Sequence, residues 1–294
     1  MTNAIISHSD TQTLYGASQA LPLIVIDSDK CYGVISLYGG QILEFRPKDK
    51  APLLWLSPLA VFETGKAIRG GVPICAPWFG PYRGKAQSGT SYPNHGFART
   101  STWQQQDSSI NSNNEVQVAL TLAPSETSLA LYPHPFTLEI QFILGDELTI
   151  EFSVINHSDT VIECEWALHS YFAVEDIALT EVNGLDALQY VDSANNGVIE
   201  HLNGSLSFNG EVDRYFINGS AEQTINSKSP ITISGNNCDS VITWNPGAAL
   251  ADKMSDISAA YHHQFVCVER GAIFSNQWQI APSQKQSATM TLSN

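Results

Sequence analysis

The stretch Phe136-Thr137-Leu138-Glu139-Ile140-Gln141-Phe142-Ile143-Leu144-Gly145-Asp146-Glu147-Leu148-Thr149-Ile150-Glu151-Phe152-Ser153-Val154 decides the fold. Phe136, Leu138, Ile140 and Phe142 alternate with Thr137, Glu139 and Gln141. Leu148, Ile150, Phe152 and Val154 alternate with Glu147, Thr149, Glu151 and Ser153. A strand turns successive side chains to opposite faces, so each run predicts a half-buried strand. One wet face and one dry face belong to antiparallel sheets. Gly145-Asp146 between the runs suits a two-residue hairpin turn.

The same period extends outward. Val116, Val118, Leu120 and Leu122 alternate with Glu115, Gln117, Ala119 and Thr121. Further strand-like runs lie at 21–26, 34–45, 231–233, 241–244, 265–268 and 289–292. Helical signals are weak, the best being a short stretch at 252–260 with Asp252 as its cap. Polar patches at 107–114 and 195–197 predict hairpin loops. No coiled coil, repeat array or linker is visible. The expectation is an all-β chain, one domain over 1–294, with two large antiparallel sheets packed as a sandwich.

Composition agrees with a packed chain. Of 294 residues, 43% are hydrophobic, which supports a full core and excludes wholesale disorder. Only 15% are charged, so Ser, Thr, Asn, Gln and Gly must cover much of the surface. The net charge of −15 disfavours nucleic acid and anionic membranes as partners. A small anionic ligand stays open, because a few clustered arginines set the local potential. The start, Met1 to His8, has no basic stretch followed by an apolar one, so no signal peptide is expected. No run of 18 apolar residues predicts a membrane span. Cys31, Cys75, Cys164, Cys238 and Cys267 are odd in number and widely spaced. They predict buried, reduced thiols in a cytoplasmic protein.

Three segments break the strand pattern. The first is Ala67-Ile68-Arg69-Gly70-Gly71-Val72-Pro73-Ile74-Cys75-Ala76-Pro77-Trp78-Phe79-Gly80-Pro81. Arg69 beside two glycines lets backbone come close to whatever the guanidinium binds. It could equally pair with a carboxylate and staple a loop. The second, Pro93-Asn94-His95-Gly96-Phe97-Ala98-Arg99, gathers an amide, an imidazole and a guanidinium. Those donors suit hydroxyls and phosphate, or simply a polar turn. The third, Glu165-Trp166-Ala167-Leu168-His169-Ser170-Tyr171-Phe172, ends an aromatic stretch on His169. A core or loop histidine is the plain alternative there. Later, Phe265-Val266-Cys267-Val268-Glu269 ends an apolar strand on a carboxylate. Solvated, Glu269 is an ordinary surface acid; desolvated, its pKa rises and it becomes a usable base. No metal-binding motif is present, and adjacent His262 and His263 in a strand would point to opposite faces. No P-loop, G-x-G-x-x-G or G-x-S-x-G occurs, so neither a metal nor a cofactor is expected.

In this order the segments resemble the aldose 1-epimerase (mutarotase) family, and within it the glucose-6-phosphate 1-epimerase branch. The matching pieces are Ile68-Arg69-Gly70-Gly71-Val72-Pro73, Trp78-Phe79-Gly80, His95-Gly96-Phe97-Ala98-Arg99, His169-Ser170-Tyr171-Phe172, Asp213-Arg214, Trp244-Asn245-Pro246 and Val266-Cys267-Val268-Glu269. The resemblance implies a large β-sandwich of the supersandwich type. It implies His169 as catalytic acid and Glu269 as catalytic base. It implies Arg69, Asn94, Arg99 and Asp213 as holders of a sugar phosphate, with His95 as a further substrate contact. Asn94 stands where the resemblance leads one to expect Gln. Asp192 competes with Asp213 for its role. The implied partner is a small-molecule sugar phosphate, handled by a monomer.

The implied chemistry suits these residue types. Exchange of α and β anomers needs a base at the anomeric O1 hydroxyl and an acid at the ring oxygen O5. The C1–O5 bond then breaks, the aldehyde rotates, and closure returns both protons. A carboxylate and an imidazolium can do this near neutral pH without redox chemistry. A non-catalytic carbohydrate-binding or sugar-sensing domain is the alternative on the same sandwich, and an accessory domain of a carbohydrate lyase or hydrolase is a third reading. Trp78, Phe79, Tyr171 and Phe172 would line a cleft or pack the core.

Overall fold

In the computed structural model, which describes residues 4–85 and 88–294, the opening stretch forms the strands Phe136–Leu144 and Leu148–Asn156. The reading of the N-terminus rests partly on residues 1–3, which lie outside the described residues. The two strands pair antiparallel from Phe136↔Asn156 to Leu144↔Leu148. Their loop has three residues rather than two, and the Gly145 N–H donates to the Glu147 carbonyl at 2.9 Å. A two-residue loop would pair Leu144 with Glu147 and set an acid on the dry face. The third residue keeps Leu144 and Leu148, both fully buried, on one side.

This hairpin is the middle of a nine-stranded antiparallel sheet. The order is Leu206–Ser207, Glu181–Asn183, Glu222–Asn226, Ile231–Asn236, Lys285–Ser293, Leu148–Asn156, Phe136–Leu144, Val116–Leu122 and Gln104–Ile110. An eight-stranded sheet runs Val198–His201, Gln189–Asp192, Val212–Phe216, Ser240–Asn245, Phe265–Ala272, Trp166–Leu168 and Ile74–Cys75, and Tyr171–Ala173 also pairs with Phe265–Ala272. A four-stranded sheet of Ile5–Asp10, Pro22–Asp27, Cys31–Ser36 and Gln41–Pro47 completes the N-terminal part, and Ile162–Cys164 pairs with Trp278–Ile280.

One apolar cluster joins the two large sheets. It holds Leu138, Phe142, Ile150 and Phe152 from one, and Leu168, Val241, Val266 and Val268 from the other. The expected all-β sandwich of antiparallel sheets is therefore the architecture. The five cysteines are buried free thiols. No helix among the described residues is long and apolar enough to cross a membrane.

Several local expectations are corrected. The run at 34–45 is two strands, Cys31–Ser36 and Gln41–Pro47, separated by a turn. At 107–114 the strand Gln104–Ile110 continues through the polar residues. The turn begins at Asn111, whose side-chain oxygen accepts from the Asn113 and Glu115 amides. The short helix is Gly247–Ala251, and Asp252 is its C-terminal cap, not its start. Asn245 Oδ1 accepts from the Gly247 N–H at 2.9 Å and so sets the beginning of that helix. His262 and His263 sit in a 3₁₀ turn, His262–Gln264, with ring centroids 5.8 Å apart, so the opposite-face argument does not apply.

Candidate active site

The strand Phe265–Ala272 is buried along its whole length. Its even residues Val266 and Val268 enter the core between the sheets, and its odd residues face the other way. On its edge Leu168 pairs with Arg270, and Tyr171 pairs with Cys267. No residue is inserted between those two pairs, so His169 stands opposite Glu269. The ladder is open there. The His169 N–H donates to the Pro73 carbonyl and the Tyr171 N–H to the Gly71 carbonyl, each at 2.9 Å. The backbone donors are thus satisfied by the segment after Arg69 rather than by the neighbouring strand. Gly71 makes this possible: its φ is 63°, and a Cβ there would lie 2.1 Å from the Ile42 carbonyl oxygen.

Residues opposite one another in an antiparallel sheet share a face. His169 faces Glu269, Glu269 pairs with Ile242, and Ile242 pairs with Tyr215. One row on, Asp213 pairs with Trp244. These rows floor a cleft of about 470 Å³. All seven sequence candidates line it: His169, Glu269, Arg69, Asn94, His95, Arg99 and Asp213. The loop carrying Asn94, His95 and Arg99 is docked by Phe97 and Ala98 amides on the Ala76 carbonyl, and by the His95 N–H on the Gly80 carbonyl. Gly96, with φ 69°, passes so close that a Cβ would meet the Ala76 oxygen at 1.9 Å.

Asp192 lies elsewhere. It pairs with Arg214 Nε at 2.9 Å and accepts from the Asn195 amide. Its role is therefore to tie down its own turn. Of the four aromatics, Phe79 lines the cleft, whereas Trp78, Tyr171 and Phe172 are buried in apolar clusters.

His169 Nδ1 is 3.4 Å from Glu269 Oε1, longer than a formed hydrogen bond. Nδ1 and Glu269 Oε2 are both buried without a hydrogen-bond partner among the described residues. Burial holds the His169 pKa well below 6.5, with His95, Arg99 and Arg69 pushing the same way. Burial lifts Glu269 well above 4.5; Asp213 adds to this and Arg99 opposes it. Desolvation therefore favours the charge-free pair, one proton on Glu269 and a neutral imidazole. Burial also pushes Asp213 up to about 6, helped by Glu211 and Asp192. His95 is pushed down to about 3 by burial and the arginines. Its Nδ1 accepts from the Gly80 amide at 3.2 Å, which assigns the ring proton to Nε2 as a donor.

The cleft is cationic on the side of His95. Arg69 is neutralised by Asp256, with Nε to Oδ2 at 2.9 Å. This is the loop-stapling reading of Arg69, realised while the residue still lines the cleft. Arg99 donates to the Asn94 carbonyl at 3.0 Å and makes no ion pair with a carboxylate among the described residues. The set thus offers a proton-carrying pair, hydroxyl-binding groups and an arginine able to take an anion. Among the described residues, no group of three or more His, Cys, Asp or Glu could hold a metal ion.

The family model described as Aldose 1-epimerase matches residues 22–293. The chain belongs to the aldose 1-epimerase family. A Salmonella typhimurium relative named "Putative glucose-6-phosphate 1-epimerase" is 36% identical over 276 residues, 91% of this chain and 88% of the relative. A Cenchrus ciliaris protein with the same name is 30% identical over 256 residues, covering 83% and 75%. A Salmonella typhimurium crystal structure, described as "a putative mutarotase", superposes with TM-score 0.84 at 34% identity over 93% of this chain and 90% of that one. A galactose mutarotase-like protein from Lactobacillus casei shares the fold, with TM-score 0.70 at 18% identity over 92% and 99%. This epimerase-family chain is accordingly an isomerase of the mutarotase type.

Sequence reasoning missed one charged residue of the epimerase cleft. Arg83 lines it, held by Glu165 at 3.0 Å, by the Phe79 carbonyl at 2.8 Å and over the Phe274 ring at 4.5 Å. Its place just after Gly80-Pro81, continuing the first irregular segment, was the available signal. Tyr215, Ile242 and Phe274 also line the cleft. They carry no local signal, because the rows that bring them together run across the sheet. Asn245 belongs to a matched motif, but its amide binds the His262 and Phe265 carbonyls and so serves the backbone.

Proposed function

We propose that this chain interconverts the α and β anomers of hexose 6-phosphates by general acid/base ring opening and closure. His169 is the acid at O5 and Glu269 the base at O1. Arg69, Arg99, Asn94, His95 and Asp213 hold the sugar phosphate, in the cytoplasm. The observation that carries the reading is His169 facing Glu269 across an opened ladder, in a cleft where Arg99 has no carboxylate partner among the described residues. The free, buried thiols fit a reducing compartment.

The proton balance closes. Ring opening takes the O1 proton to Glu269 and gives the His169 proton to O5 as C1–O5 breaks. The open aldehyde rotates about C1–C2. Closure returns the Glu269 proton to O1 and the O5 proton to His169, giving the other anomer. Desolvation rests the pair's single proton on Glu269, so before ring opening it passes to His169 across the 3.4 Å Nδ1–Oε1 contact and leaves Glu269 ionised to take the O1 proton. Ordinary values of 4.5 and 6.5 would leave the pair without that proton at pH 7. With Glu269 raised, the singly protonated pair persists to higher pH than those values would allow. The two groups can each supply on the order of 10²–10⁴ in rate.

NMR exchange between the anomers of glucose 6-phosphate, with and without protein and with a chelator, tests this. Enhanced exchange that ignores the chelator is expected. No enhancement would leave a sugar-binding module, and a chelator effect would bring in a metal.

A further inference from the structure

Packing holds the His169 ring, beside a Glu269 oxygen that approaches its Nδ1 to 3.4 Å. The ring makes no side-chain hydrogen bond among the described residues, and its Nδ1 is buried without a partner. Tyr171 lies face to face with it, ring centroids 4.9 Å apart and planes 8° from parallel. Trp244 presents an edge at 5.9 Å. The plane of the imidazole therefore follows the plane of Tyr171.

Tyr171 is in turn held at its far end. Its hydroxyl accepts from Arg69 Nη1 at 2.8 Å. Arg69 Nε donates to Asp256 Oδ2 at 2.9 Å, and Ser57 Oγ donates to the Asp256 carbonyl at 2.6 Å. Asp256 is thus a fixed post, and the guanidinium bridges it to the tyrosine. These two bonds do not use Nη2, on a side chain that lines the cleft.

We propose that Tyr171 is a positioning residue that couples an anion on Arg69 to the orientation of His169. The phosphate then raises turnover as well as anchoring the sugar. This rests on the phosphate reading above. An anion on Nη2 adds a charge-assisted bond to a guanidinium that Asp256 keeps from swinging away. The load passes through Nη1 to the tyrosine hydroxyl and fixes the ring on which the imidazole lies. Binding energy from a non-reacting part of the substrate is spent on orienting the reacting group, and a truncated substrate loses kcat.

The probe is inorganic phosphate added to the wild-type protein turning over glucose, with the protein-free rate at the same phosphate subtracted. Phosphate in trans should raise the kcat for glucose, by about tenfold. Tyr171→Phe keeps the stacked ring and loses the hydroxyl. It should shrink both this activation and the kcat advantage of glucose 6-phosphate over glucose, while the ratio of their KM values stays. Phosphate that competes with glucose 6-phosphate yet leaves glucose turnover flat overturns the coupling. So does a Tyr171→Phe protein with the full kcat advantage and a collapsed KM ratio. Phosphate that does not compete overturns the phosphate reading itself. The wild-type arm decides the matter if the variant does not fold.

Discussion

The two large sheets are built from the same kind of strand and do different work. In the nine-stranded sheet the ladder from Phe136↔Asn156 to Leu144↔Leu148 is unbroken, and its even-numbered apolar residues, Phe136 to Leu144 and Leu148 to Val154, face the core. In the eight-stranded sheet the ladder opens at His169 and Ser170, and Phe265–Ala272 is buried on both faces. The regular sheet supplies apolar area and stiffness. The irregular one gives up two cross-strand pairings and sets polar groups where burial strains their charge. The proposed chemistry lies where the ladder is opened, beside an intact ladder in the other sheet.

The largest expected effect separates the two sheets cleanly. Glu269→Gln should lower turnover on the order of 10²–10⁴-fold while keeping substrate binding. Near-normal turnover would mean that the base is elsewhere. Phe142→Ala, in the fully buried face of the regular sheet, should do the reverse. It should cost about 3–5 kcal/mol of stability, with kcat unchanged in the folded fraction. Denaturant melts and anomer exchange on both variants provide the check. A Phe142→Ala protein that is stable but slow would erase the division of labour.

The same contrast explains what the sequence disclosed. Alternation marks a strand with one wet face, so Val116–Leu122 and the central hairpin are legible to within a residue or two. The strand Phe265–Ala272 is legible only as far as Val268, because Glu269, Arg270 and Gly271 look like surface. All three are buried, and Arg270 spends its guanidinium on the Ser220 carbonyl and Gln223 Oε1, both at 2.7 Å. The seven candidates for the site come from ordered motifs, and they meet in one cleft. Asp256 leaves no such trace, and Arg83 only its place at the end of the first irregular segment. Both act through partners more than 80 residues away in sequence, Glu165 and Arg69. No local spacing encodes such a pair.

A smaller effect sharpens the electrostatics of the irregular side. Arg99→Gln should raise the KM for glucose 6-phosphate by about tenfold to a hundredfold, the loss of a hydrogen bond to a charged group. The KM for glucose should move much less. In the wild type, salt should weaken the phosphate sugar more steeply than glucose, because the chain carries a net charge of −15 and the attraction is local. In Arg99→Gln the two slopes should converge. Slopes that are already equal in the wild type would remove the arginines from substrate choice.

The smallest expected effect concerns the strain on Glu269 itself. Burial raises its pKa in the folded state above the 4.5 of the unfolded chain. From pH 4.5 up to that raised value the folded form holds a proton that the unfolded form has released. Stability therefore falls as pH rises through this window, and the contribution is complete only below it. Glu269→Gln removes the titration and keeps the shape. Relative to the wild type, its free energy of unfolding should climb from pH 4.5 up to that raised value, by about 1.4 kcal/mol for each pH step of one inside the window. Denaturant melts at a series of pH values read this difference, and below pH 4.5 it should be constant. Were the difference flat across the whole range, Glu269 would be ionising freely in the fold. The opened ladder would then be an ordinary solvated gap, no different in kind from the turns of the regular sheet.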